Sequence, residues 1–160
     1  MTAPSHAYEL RSPGSADEWG RYHAIRRRVL FEARGQAYDA EHADERRPGN
    51  HPKLLICAGD AVGVVRIDVA RPRAILRRVA VREDVQRKGH GRALLTLAEQ
   101  FARTQECTDL SASVDPDAVA FYEKCGFTII GTGALAGHAT QMAKSISVTN
   151  LRDGAQRSIR

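Results

Sequence analysis

The chain has 160 residues and a formal net charge of +5, with 42% hydrophobic against 27% charged residues. That length fits one domain of ordinary soluble composition, and no apolar run is long enough to cross a bilayer. The basic balance suits nucleic acid and a small anionic ligand equally, so the placement of the cations must decide.

In chain order, Tyr8-Glu9-Leu10 reads as a short first strand and Ser12-Pro13-Gly14-Ser15 as a turn. Ser15 suits an N-cap, with Glu18 three residues on at capping-box spacing. A helix then runs to about Glu32, with Trp19, Tyr22, Ile25, Val29 and Leu30 on one buried face. Gly35 to Pro52 is polar and charged, a short helix or a mobile loop. Lys53–Ala58 is a buried strand, Gly59-Asp60 a hairpin turn, and Val62–Val69 the returning strand. On that strand Val65, Ile67 and Val69 face one way, Arg66 and Asp68 the other. Arg71-Pro72-Arg73 breaks it, and Ala74–Val81 is the next strand.

A glycine loop follows, then a helix from about Gly91 to Thr104 with Leu94, Leu97, Ala98 and Phe101 as its stripe. Asp109–Val114 alternates, with Leu110, Ala112 and Val114 inward. Asp115-Pro116 opens a further helix, Asp as N-cap and Pro at its first position, and Gly126 ends it. Phe127–Ile130 and Thr140–Ile146 are the last strands. Early hairpins and strand–helix–strand crossovers imply a mixed sheet covered by helices. Residues 1–147 read as the domain and 148–160 as a polar tail.

Met1–Leu10 lacks the features of a signal peptide, so the cytoplasm is the default address. Cys57, Cys107 and Cys125 are odd in number and widely spaced, which argues against a disulfide framework or zinc ribbon; each lies in an apolar segment and is expected buried and inert. Cations cluster at Arg26-Arg27-Arg28, from Arg71 to Arg92, and at Arg152, Arg157 and Arg160. Aromatics do not interleave with them, so the stacking platform of a single-strand binder is missing.

The chemistry concentrates at Gln86-Arg87-Lys88-Gly89-His90-Gly91. A helix N-terminus offers N–H groups without intrahelical partners and a partial positive charge. Gly89 and Gly91 remove side chains that would hold a phosphate off the backbone, and Arg87, Lys88 and Arg92 add charge at the rim. The loop lacks the Walker pattern, and Leu94 stands where the dinucleotide fingerprint needs its third glycine. The plainer alternative is a tight turn with solvated cations.

The stretch resembles the acetyl-CoA motif of the GCN5-related N-acetyltransferases (GNAT), Q/R-x-x-G-x-G/A between a strand and a helix, and matches it at every fixed position. Phe121-Tyr122-Glu123-Lys124-Cys125-Gly126-Phe127 resembles the family's second hallmark. The N-terminal Ile25–Gly35 stretch, with His138, Met142 and Lys144, is similar to one bacterial subgroup. The resemblance spans about Tyr8 to Ser147. It implies a mixed, mostly antiparallel α/β sheet of six to seven strands flanked by about four helices. It also implies an acetyl-CoA-dependent N-acetyltransferase in which a primary amine attacks the thioester directly in a ternary complex. Acetyl-CoA is then a co-substrate, with no metal.

By the resemblance, Val79, Ala80 and Val81 contribute backbone to the pantetheine arm, as an added strand does. Gln86, Arg87, Lys88, Gly89, His90, Gly91 and Arg92 form the pyrophosphate cradle, with His90 expected to point outward. Tyr122 matches the residue that in many members protonates the departing thiolate. The chemistry agrees: a thiol titrates near 8.5 and a phenol near 10, so a phenol can stabilise charge on sulfur and give up its proton. The alternative for Tyr122 is a core aromatic with its hydroxyl at the surface. Asp115 stands where many members carry Asn, and an ionised Asp donates no hydrogen bond to a cofactor.

An acceptor amine must lose a proton, yet Ala74–Val81 holds no acid. Glu32, Glu41 and Asp68 are the candidates elsewhere, each expected solvated or ion-paired. His138 lines the acceptor cleft or caps a turn. His42 and His51 lie with Glu41 and Asp44 in no recognised metal spacing. The partners expected are CoA and a small-molecule or peptide amine, without nucleic acid or membrane; a homodimer is the commonest assembly. A silent acyl-CoA-binding module and a basic nucleic-acid-binding domain are the rival readings.

Overall fold

The structure, a computed structural model, describes residues 8–132 and 139–146. Its elements are β1 (Tyr8–Arg11), α1 (Ala16–Arg26), β2 (Asn50–Cys57), β3 (Asp60–Ala70), β4 (Arg73–Val81), α2 (His90–Thr104), β5 (Asp109–Val114), α3 (Val119–Lys124), β6 (Thr128–Thr132) and β7 (Thr140–Ser145). The strands form a seven-stranded, mostly antiparallel mixed sheet in the order β1-β2-β3-β4-β5-β7-β6. Three α-helices stand among the described residues, where about four were expected. The chain divides into two compact units. Residues up to Asp68 with Leu76–Ala98 form the first; Val69–Ile75 with the described residues from Glu99 onward form the second.

In the first unit Ser15 Oγ accepts from Glu18 N at 3.1 Å, so the N-cap stands where the sequence puts it. The Glu18 carboxylate reaches back one residue further than a capping box requires, accepting from Gly14 N at 3.2 Å, and it also holds Arg11 Nε at 3.0 Å. The helical run does not continue evenly to Glu32. It widens into a π-helical turn at Arg27–Phe31, tightens at Glu32–Arg34, and ends at left-handed Gly35. The predicted face does make the core: Tyr22, Ile25 and Leu30 pack with Leu54, Ala61, Val64 and Ala80, and Trp19, Val29 and Phe31 lie against them.

Two strand details differ from expectation. The hairpin residues are Ala58 and Gly59, both left-handed, because Cys57 pairs with Asp60; two left-handed residues make the tight turn whose twist suits a hairpin. On β3 the predicted alternation gives way to burial on both faces from Ala61 to Ile67. Arg66, only 7% exposed, tolerates this because Asp68, two residues on and on the same face, accepts its Nε at 2.8 Å and Nη2 at 3.0 Å.

In the second unit β5 alternates as predicted, with Leu110, Ala112 and Val114 buried. It runs antiparallel to β7, and Gln141 Nε2 donates to Ser113 Oγ at 2.8 Å. On α2, which belongs to the first unit as far as Ala98, the buried stripe is Leu94, Leu95, Ala98 and Ala102; Leu97 and Phe101 are only half-buried. Cys107 is buried as expected, but Cys57 and Cys125 are partly exposed, so burial does not make all three inert; all are free thiols.

Candidate active site

The glycine loop belongs to the first unit, and its approach is pinned by a residue the sequence reading passed over. Arg82, just past β4, donates from Nη1 and Nη2 to the Asp60 carboxylate at 3.0 Å each, and from Nη1 to Ala61 O at 2.8 Å. Its Nε reaches Asp84 at 2.6 Å, and its amide donates to Val62 O at 2.8 Å. These bonds fix where β4 stops. Gln86 then donates from Nε2 to Val81 O at 3.0 Å. The first fixed residue of the motif therefore ties the loop to the strand end through its side chain.

Arg87 (φ 64) and Gly89 (φ 88) are both left-handed. Such residues interspersed with ordinary ones turn successive amides toward one side, an anion-binding concavity. Gly89 O accepts the first intrahelical bond of α2, from Ala93 N at 3.2 Å. Helix geometry then leaves the amides of Gly89, His90, Gly91 and Arg92 without intrahelical acceptors. A Cβ at Gly89 would meet nothing within 4 Å, so the space before these amides is open.

His90 does not point outward. It is 9% exposed, and its Nδ1 shares a 2.8 Å hydrogen bond with Tyr8 OH. Burial first, then Lys88 and Arg82, lower its pKa, so the imidazole is neutral at neutral pH. Its side chain thus anchors α2 to β1, and only its backbone is left for a ligand. Along β4, Ala80 is buried, with Val79 and Val81 half-buried. Arg78, immediately before Val79, is left-handed (φ 58), which kinks the strand there.

Tyr122 belongs to the second unit, on α3. It is 7% exposed and packs edge-on against Phe121 and Phe127 at 5.8 and 5.2 Å. Burial, with Cys125 and Asp115 adding to it, raises its pKa above the ordinary tyrosine value. The phenol therefore keeps its proton through the neutral range. Asp115 takes the N-cap position before Pro116–Ala118, but its side chain makes no capping hydrogen bond; its carbonyl accepts from Ala118 N at 2.9 Å. Its charge acts on Tyr122, a role the sequence reading missed.

The end of α3 closes as predicted. Gly126 is left-handed, its N donates to Glu123 O at 3.0 Å, and Phe127 N to Tyr122 O at 3.1 Å. Lys144 completes the end. Its Nζ reaches Cys125 O and Glu99 Oε2 at 3.0 Å each, a cation on the last carbonyls of the helix that carries Tyr122.

Two of the three candidate bases are engaged in ion pairs. Asp68 is held by Arg66 and Arg77, and Glu41 pairs with Arg46. Glu32 is exposed on the tight turn after the π-helical segment. His42 accepts from Asp44 N at 3.2 Å, and burial lowers the pKa of His51. His138 lies outside the described residues. No His, Cys, Asp and Glu among the described residues gather as a metal site, and no described helix is long and apolar enough to cross a membrane.

Comparison with known proteins agrees with this architecture. The acetyltransferase (GNAT) family model matches residues 17–127. A Lactobacillus plantarum protein assigned to the N-acetyltransferases is 26% identical, with a TM-score of 0.75 over 88% of this chain and 99% of that one. The ribosomal-protein-S18-alanine N-acetyltransferase of Escherichia coli aligns over 88% and 94%, at 22% identity and a TM-score of 0.70. An aminoglycoside 6'-N-acetyltransferase complexed with coenzyme A aligns over 88% and 97%, at 13% identity and a TM-score of 0.75. The chain belongs to the GNAT acetyltransferase family.

Proposed function

We propose that this protein is an acetyl-CoA-dependent N-acetyltransferase in which a primary amine attacks the thioester directly. The observation that carries the reading is the N-terminus of α2. Gly89 opens the space before a set of helix-end amides, and the two residues before it in the chain, Arg87 and Lys88, are exposed cations. A diphosphate matches those donors in charge and in number of oxygens. One relative of the same fold was solved with coenzyme A.

In this mechanism the backbone of Val79–Val81 pairs with the pantetheine arm, and the amides from Arg87 to Arg92 hold the diphosphate. The amine nitrogen attacks the thioester carbonyl, an N–C bond forms, and the C–S bond breaks. Tyr122, kept protonated by burial, donates to the departing sulfur. The proton shed by nitrogen passes to the solution and replaces the one Tyr122 gave. The products are the amide and the free thiol of CoA.

The nucleic-acid reading has less support, because many cations are used inside the fold. Arg26 and Arg66 are buried, and Arg11, Arg82 and Arg103 each hold a carboxylate. The experiment is calorimetry with CoA followed by a thiol-release assay across a panel of amines. Micromolar CoA binding with turnover of at least one amine supports the reading. CoA binding with no transfer supports the silent module instead, and no CoA binding removes both.

A further inference from the structure

One group in the first unit is not used by this mechanism. Arg78 lies over the Phe31 ring, 4.9 Å from its centroid, and Phe31 meets Tyr38 edge-on at 4.9 Å. Arg26 and Arg27 lie over the Tyr38 ring at 5.9 and 5.3 Å. An aromatic pair is thus faced by three guanidiniums. Burial first, then the charges of Arg26, Arg66, Arg34 and Arg77, lower the pKa of Arg78. Asp68 pairs with two of these arginines, Arg66 and Arg77. Among the described residues no carboxylate forms an ion pair with Arg78.

Two backbone departures meet at this patch. Phe31 closes the π-helical turn, and Arg78 is left-handed inside a strand. Both conformations carry a cost that a fold retains where it serves a site. Position adds to this. With the diphosphate at the loop and the arm running from Val81 to Val79, the acyl end of the co-substrate reaches β4 beside Arg78. Arginines crowded together repel one another, and a planar guanidinium stacked on an aromatic ring is preset for a two-oxygen anion.

We propose that the Arg78–Phe31–Tyr38 patch recognises an anionic oxygen group, carboxylate or phosphate, carried by the acceptor amine. The acceptor is then an amine with an acid group nearby, and polycations are repelled. This rests on the acetyltransferase reading for its position, but the anion site can be tested without it.

The test titrates glutamate, phosphoethanolamine and spermidine into the protein with and without CoA, then measures acetyl transfer to each. At least one anionic amine should bind, and spermidine should not. Arg78→Asn keeps a residue that tolerates the left-handed conformation. It should weaken anionic binding or raise KM about tenfold, with CoA affinity kept, the size expected from losing one charge-assisted pair. Arg34→Gln is the second variant if Arg78→Asn fails to fold. Glutamate against phosphoethanolamine separates the two anion sources. Preference for spermidine, failure of both anionic amines to bind, or unchanged anion affinity in both variants overturns the inference. If CoA fails to bind, the acetyltransferase reading falls, and the anion titration of the free protein still decides this one.

Discussion

Replacing Gly89 by alanine separates the strain of the glycine loop from its use. Gly89 sits at φ +88, and a Cβ built there meets nothing within 4 Å. The folded protein alone therefore pays only the left-handed cost of a side chain, about 1–2 kcal/mol. For a chain of this size that lowers Tm by roughly 2–8 °C. The diphosphate is affected differently, because the methyl enters the open space before the helix-end amides. Losing one charge-assisted hydrogen bond costs about 1.5–3 kcal/mol, so the Kd for CoA should rise about 10- to 100-fold. Differential scanning fluorimetry reads the first effect and isothermal calorimetry the second. Pantetheine, which lacks the diphosphate, is the control, and its weaker affinity should not change. A CoA Kd within about twofold of the parent's, or equal weakening of CoA and pantetheine, would refute the loop assignment.

Tyr122→Phe should lower turnover by about 100-fold or more while CoA affinity holds, as for loss of a general acid; unchanged turnover in the thiol-release assay removes that role. Because burial raises the Tyr122 pKa, its proton is present below the ordinary tyrosine value of about 10. The Tyr122 contribution to stability should therefore be lost only as pH rises past about 10, where the unfolded tyrosine ionises first, and Tyr122→Phe should flatten that slope. Lys144→Met leaves Glu99, whose side chain is 12% exposed, with Arg103 as its remaining cation at 2.8 Å; a loss of about 1 kcal/mol in urea denaturation is expected, and a loss under about 0.3 kcal/mol makes the pair incidental. Arg82 lowers the pKa of Asp60, and Arg11 that of Glu18. Their contribution is complete above the unfolded carboxylate values near 4 and is lost as pH falls through the lowered ones. Asp60→Asn should flatten the acid limb of Tm against pH, and an identical limb would mean that Arg82 contributes nothing there.

Why some of this was legible in sequence, and some not, follows from where each signal is written. The β5 alternation could be read because one face of that strand is buried and the other is not, so burial copies directly into a period of two. β3 could not, since both faces are covered and Arg66 is buried on the strength of a carboxylate two residues away. Gly126 was readable because only a left-handed residue closes that helix. The π-helical turn was not, because one extra residue per turn shifts a helical face without removing it. The hairpin was placed one residue late because alanine at positive φ gives no compositional signal.

The candidate site divides the same way. The glycine loop is a demand on the backbone, met by glycines within six consecutive residues, so it stands out in the sequence. Its supports do not: Arg82 holds Asp60 from 22 residues away, and His90 finds Tyr8 across 82. A side chain whose partner is that distant looks solvated until the fold is known, and that is why His90 was expected to face outward. The proposed acceptor patch is more distributed still, because Arg26, Arg34, Arg66 and the adjacent pair Arg77 and Arg78 lie on four different segments and come together only in the folded unit. The net charge of +5 records the excess without its address. Once the fold supplies the address, the excess bears on the proposed substrate: under that reading, a patch of guanidiniums beside β4 sorts amines by the charge they carry beyond the reacting nitrogen.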